Sequence, residues 1–499
     1  MIHQHDVQSQ QMTAAAVSGI VPQVQAAEPQ RMRVPEERAR LLPPALRIEG
    51  AAAPPQPRPV PVPVPQITGH RFLIYKQDPT VAELGVRVVY VPTVVLNGPA
   101  DARLTTVLPG VTPVSRNANG DFVFQANTPQ FDCAATFAVV RQTLAMYERH
   151  NGGEPIPFAW NVGGNTDRLS VHPRAGTGAN AFYSRTAKAL KFLSFTPQGG
   201  TQEIVTCRSL DIVAHEAGHA ILDGLKPGWL GANQPPQTGG LHEAFGDLTA
   251  IFLALAQPDQ AEALVAMTRA NLHDRSFLPA MAEEFGLGLG HPFGLRNADN
   301  DLKLSEVGNE VHAISQVFTG AIYDVLADVY VFEAQRQRRT KDPALVLIEV
   351  AQKLCKLLFD AIVAAPATGA TYVDVANRML HISAGQGDPV VYRTFIRNRF
   401  AVREITTAVT PLDDLMSGRM RMSDADYTGD GSRDVTEVGV PDENSASLRA
   451  EQDRSRCCGT MQMPEYRVVD EQTLAQRGEI TNEDILRNEL DELRRAFTK

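Results

Sequence analysis

Residues 211–247 read DIVAHEAGHAILDGLKPGWLGANQPPQTGGLHEAFGD, two apolar segments joined by a Pro/Gly-rich connection. His215, Glu216 and His219 form an H-E-x-x-H sequence within a proline-free run of Ile212, Val213, Ala214, Ala217, Ala220, Ile221 and Leu222, which predicts a buried helix. Residues four apart share one helical face, about one turn (about 5.4 Å) from each other, so the two imidazoles can bind one ion together. Glu216 projects beside them, close enough to take a proton from a water on that ion and too crowded to be a ligand itself. The alternative is a buried helix with two incidental histidines. It would leave two imidazoles and a carboxylate each in need of a buried partner. The connection over 226–240 leads into a second apolar helix, expected over 241–256, that opens with Leu241-His242-Glu243-Ala244-Phe245-Gly246-Asp247. Glu243 and Asp247 are again four apart. One carboxylate can be the third zinc ligand while the other sits behind it, where metal-bound histidines usually send their far N–H.

These residues resemble the thermolysin-like neutral metalloproteases, a gluzincin family, whose second helix carries N-E-x-x-x-D where this chain has His242-Glu243-Ala244-Phe245-Gly246-Asp247. Asp211-Ile212-Val213-Ala214-His215-Glu216 is close to the family's strand-to-helix junction. Upstream, Asn180-Ala181-Phe182-Tyr183 looks like the family's edge strand along the bound peptide. Downstream, Glu310-Val311-His312-Ala313-Ile314-Ser315 looks like the segment with the transition-state histidine. The resemblance covers roughly residues 70–408. It implies an α+β, two-lobed fold, with a β-rich N-terminal lobe, an α-helical C-terminal lobe and zinc in the cleft between them.

The rest of the chain agrees with that division. Residues 1–68 are rich in Gln, Ala and Pro and end in alternating prolines, which block helix and ladder alike; a disordered, partly polyproline II leader is expected. Strand signals follow at 72–75, 86–91, 121–125, 157–162, 169–172, 180–183 and 191–195, with one helix over 130–149. Helix signals then dominate, over 261–271, 313–333, 344–364, 373–382 and 389–397. The expected domains are therefore the leader over 1–68, the β-rich lobe over 69–224, the helical lobe over 225–410 and a polar tail over 411–499. In the tail, residues 424–431 match a calcium loop poorly and read as a solvated acidic turn. Residues 483–497 carry an amphipathic pattern.

In the resembled chemistry His215, His219 and Glu243 hold one zinc ion, Glu216 is the general base and His312 a donor to the oxyanion. Asp247 and Asp211 are expected behind the ligands. Asn180, Ala181, Phe182 and Tyr183 would bind the substrate as an added strand. Arg296 would hold a substrate carbonyl on the leaving-group side. Three departures stand out. No tyrosine lies over 222–240, so Trp229 is the candidate replacement donor. Val307 stands where the family orients its histidine with a carboxylate, leaving that task to Glu306 or Glu310. Ala254 occupies the place of a calcium-binding carboxylate, and only Asp259 and Glu262 follow in the next loop, so calcium is not expected at the family's paired site.

The expected activity is that of a zinc endopeptidase acting on peptide or protein substrates, with apolar side chains preferred on the leaving-group side. Net charge is −10 and no basic stripe is present, which argues against a nucleic-acid partner. No run approaches the apolar length of a membrane span. The five cysteines lack metal-site spacing. The opening MIHQHDVQSQQMTAAAVSG lacks the basic and apolar regions of a signal peptide, and the expected location is the cytoplasm, or export by another route. That feature and the leader favour one alternative, a protease effector loaded by an export or injection machine through its N-terminus. A zinc-binding, non-cleaving interaction protein is the other, prompted by the absent tyrosine and opposed by Glu216.

Overall fold

The computed structural model describes residues 69–108, 114–231, 234–291 and 294–406, all within the unit Ile67–Lys499. The leader over 1–68, the turn over 424–431 and the amphipathic segment over 483–497 lie outside them. Strands β1 (His70–Tyr75) and β2 (Val86–Val91) pair antiparallel, and the period-2 pattern of β1 sends Phe72 and Ile74 into the core. A five-stranded mixed sheet follows, made of β3 (Leu104–Thr106), β4 (Leu169–Thr177), β5 (Ala181–Ser184), β6 (Ala189–Phe195) and β7 (Ile204–Val205). Its order is β3-β4-β6-β5, with β7 also on β6; β3, β4 and β6 run parallel while β5 and β7 run against β6. β5 therefore lies at an edge.

Helix α1 (Pro129–His150) starts with Pro129 in its first turn and a Thr128 side chain that accepts from the Phe131 amide, a strong start signal. It buries Phe137, Val140, Leu144 and Tyr147 and packs against β1, β4 and α2 (Leu210–Leu225). α2 ends at Lys226, just before Pro227, which cannot continue it. α3 (Pro236–Leu255) is buried along its whole length, wedged between α2 and the long α6 (Val311–Gln337). The two helices approach closely because both contact points are glycine: a Cβ on Gly218 would meet Thr249 Oγ1 at 2.9 Å and Gly246 Cα at 3.3 Å. The remaining helices are α4 (Pro258–Thr268), α5 (Glu283–Gly288), α7 (Pro343–Ala364), α8 (Tyr372–Gly385) and α9 (Val390–Val402). The described chain is thus mixed α+β. Among its described residues no helix is long and apolar enough to cross a membrane.

Three local expectations change. α3 starts at Pro236, inside the segment read as connection. Its first turn is anchored from outside, with the Thr238 hydroxyl donating to Ala370 O and the Gln237 side chain accepting from the Tyr372 amide. Residues 121–125 are not a strand. Phe122 makes one parallel bridge to Phe72, while the Asp121 carboxylate is occupied by the Arg71 amide and guanidinium. Residues 157–162 form a turn stitched by Asn161, which accepts from the Phe158 amide and donates to Asn165 O and Asp167 O. Polar side-chain closure overrides the apolar pattern in that segment.

Candidate metal centre

The i, i+4 spacing on α2 brings the His215 and His219 rings to 4.5 Å between centroids, with planes 87° apart. Ligand atoms of His215, Glu216 and His219 lie within 4.8 Å of one another, and all three residues are buried. Glu243, from α3, faces the pair. Its Oε2 is 3.3 Å from His215 Nε2 and its Oε1 is 3.5 Å from His219 Nε2. His312, in the first turn of α6, closes the fourth side with Nε2 at 3.8 Å from Glu243 Oε2. Neither oxygen of Glu243 nor Nε2 of His219 makes a hydrogen bond to a described residue, although all three atoms are buried. Such groups normally find partners, and two imidazole nitrogens with a carboxylate are a donor set that zinc accepts.

Burial opposes ionisation of Glu243, yet the surrounding imidazoles of His219, His215 and His312 hold its carboxyl well below the usual range. Burial also pushes His219 well down, keeping it neutral. An ionised carboxylate beside a neutral imidazole is the protonation state a divalent metal requires.

Each imidazole has an orienting partner. His215 Nδ1 lies 2.9 Å from Asp247 Oδ1, and Arg296 grips the same carboxylate through Nε at 3.0 Å and Nη2 at 2.7 Å. Asp247 is held at about 2, because Arg296 and His215 outweigh its burial. His219 Nδ1 lies 2.8 Å from His242 Nδ1. His312 Nδ1 is bonded to Glu310, whose carboxylate also accepts the amides of His312 and Ala313 as the cap of α6. Burial alone would lower His312, but Glu310 and Glu243 raise it above the ordinary histidine value. Of the two carboxylates left open by the sequence, Glu310 is the one on His312; Glu306 turns back to the Lys303 amide.

Several expected roles need correction. The Trp229 indole N–H donates to Pro366 O at 2.9 Å with the ring fully buried, so it is spent on packing and cannot serve as the replacement donor. Asp211 does not back a ligand imidazole. Its Oδ2 accepts from the Ala282 amide, and it sits among Asp78 and Glu283. Arg296 gives its Nε and one Nη to Asp247, bracing the partner of His215, and it also lines the cavity that Asn180 and Ala181 border. The two-residue ladder of β8 (Ala280–Met281) and β9 (Arg296–Asn297) sets it there. Tyr183 faces inward, its hydroxyl donating to Asp223 at 2.7 Å. Phe182 carries Lys191 over its ring.

Asn180 and Ala181 line a small cavity, about 40 Å³, beside His215 and Glu216. Its other walls include Ile212, Met281, Phe285 and Leu295. His242 was visible in the sequence only as an imidazole where the resembled pattern has Asn.

No protein-family model matches the sequence, and no curated protein matches it. Among solved structures the chain is similar to a precursor of protealysin, a metalloproteinase from Serratia proteamaculans. The identity is 14% and the TM-score 0.38, with 63% of this chain and 90% of that one covered.

Proposed function

We propose that this chain is a zinc-dependent endopeptidase of the thermolysin-like kind. The observation that carries the reading is the convergence of His215, His219 and Glu243 around one buried point, with Glu243 making no hydrogen bond to a described residue. Three protein ligands leave a coordination position open, which is the mark of a catalytic rather than a structural zinc site. When bound, zinc would lower the pKa of a water molecule and polarise a peptide carbonyl.

The protein residues do the rest. Glu216 accepts the proton of the attacking water and delivers it to the leaving nitrogen. His312, whose protonated form Glu310 favours, donates to the oxygen on which negative charge develops. Asn180 and Ala181, at the edge strand, align an extended peptide as an added strand. The mostly apolar cavity beside Glu216 takes an apolar side chain from the leaving-group side. The β-rich part supplies β5 and α2 and the helical part supplies α3 and α6, in keeping with a site between two lobes. The reading invokes no calcium.

The test pairs zinc content with casein cleavage for the full chain and for Glu216→Gln. Zinc in both, with cleavage reduced about 10²- to 10⁴-fold in the variant, is the expected result for loss of a general base. Zinc in both with no cleavage by either would sink the peptidase reading and favour a binding protein. Absence of zinc from both would sink the metal centre.

A further inference from the structure

We infer that His273, Asp299 and Asp324 form a second site for a divalent cation, one that ties the end of β9 to α6. It shares no residue with the centre on α2 and α3 and does not rest on the peptidase reading.

Among the described residues, two groups bring three metal-ligating side chains together, with one ligand atom from each within 4.8 Å of the others. One is His215, Glu216 and His219; the other is His273, Asp299 and Asp324. The second is assembled from three separate segments. His273 comes from the connection between α4 and β8, Asp299 from the turn after β9 and Asp324 from the middle of α6. His273 Nδ1 lies 2.8 Å from Asp299 Oδ1. Exposure falls from His273 through Asp299 to Asp324, which is 5% exposed.

Two arginines approach Asp324, yet one of its oxygens stays open. Arg399 spends Nε and Nη2 on Asp328, and its Nη1 is 3.6 Å from Asp324 Oδ2. Arg403 Nη2 donates to the same Oδ2 at 3.0 Å, while its Nη1 goes to Asn300 Oδ1 and Leu302 O. Asp324 Oδ1 makes no hydrogen bond to a described residue, although the side chain is more than nine-tenths buried. A carboxylate so deeply placed normally has its oxygens satisfied.

An imidazole with two carboxylates suits a borderline divalent ion such as zinc; calcium, which takes oxygen ligands, is a poor match. A cavity of about 480 Å³ borders His273 and Asp299 and admits water to the remaining coordination positions. Asp299 closely follows Arg296, which braces Asp247, and Asp324 lies on the helix that begins beside His312. An ion here therefore fastens together two elements that also serve the first centre.

The test counts zinc bound per chain in metal-stripped full-length protein re-equilibrated with zinc. The chains are wild type, His273→Ala, Asp299→Asn and, as a neighbouring control, Asp274→Asn. The expected result is one zinc fewer in His273→Ala and in Asp299→Asn than in wild type and Asp274→Asn. Zinc should also raise the melting midpoint less in those two variants. His273 and Asp299 reach the surface, so two independent substitutions test the site without opening the core. Equal zinc counts in all four chains overturn the inference. A wild type with a single zinc that His273→Ala lacks upholds this site and sinks the centre on α2 and α3. A single zinc that His273→Ala keeps does the reverse.

Discussion

At Gly246 a Cβ would lie 2.6 Å from both Nδ1 and Cε1 of His215, closer than real side chains come. The glycine leaves the space that the imidazole fills. Gly246→Ala is expected to cost about 1–3 kcal/mol through overpacking and to weaken zinc binding, because the ring must move. Calorimetric zinc titration beside a thermal melt checks this; a variant with unchanged midpoint and affinity would contradict it. Glu310 offers a second test at one residue. Its carboxylate raises His312 against the lowering effect of burial. Glu310→Gln keeps an oxygen to cap α6 but removes the charge, so the protonated imidazole is lost at lower pH. The alkaline limb of the kcat/KM profile should move to lower pH, and a profile that stays in place would refute the role given to His312.

α3 holds Glu243 in place because its first turn is anchored from outside. Pro236 starts the helix, but Gly239 and Gly240 are poor helix formers and would fray it unaided. Gln237, Thr238 and the close packing of Gly240 on the Tyr372 hydroxyl fasten this turn to the segment leading into α8. Gln237→Ala removes the acceptor of a buried amide, which costs about 1–3 kcal/mol. Faster hydrogen exchange at the start of α3 and around Tyr372 is the expected signature. Exchange unchanged at both places would mean that the glycine turn stands without its external anchor.

At the scale of the described molecule, a cluster of buried carboxyls lies away from the imidazoles. Burial raises Asp78, and burial with Asp78 nearby raises Asp211 well above the carboxylate range. Burial and Asp78 also raise Glu283 and Glu284, each to about 7. Between the unfolded glutamate value of about 4.3 and about 7 the folded state therefore binds more protons at these sites than the unfolded state. Their contribution to stability is complete at acid pH and is lost as pH rises through that window. In chelator-treated protein, the double variant Glu283→Gln, Glu284→Gln should gain thermal stability over wild type at pH 8 and much less at pH 5. A gain of the same size at both values would show that the two groups do not share protons as described.

The order of residues carries the features that repeat at short range. The spacings of His215 to His219 and Glu243 to Asp247, the apolar runs of α2 and α3, and the apolar face of α1 were all legible, because a helix converts an interval of four into a shared face. Partner choice across the chain was not legible. His242 on His219, Arg296 clasped to Asp247, Trp229 turned to Pro366 and Asp211 turned to Ala282 each depend on how separate elements are rotated against one another. At 3.6 residues per turn, one residue of register turns a side chain by about 100°, enough to exchange one partner for another. Only the packing of the separate elements on one another selects among those rotations, and that packing is the sum of many long-range contacts that no local interval encodes.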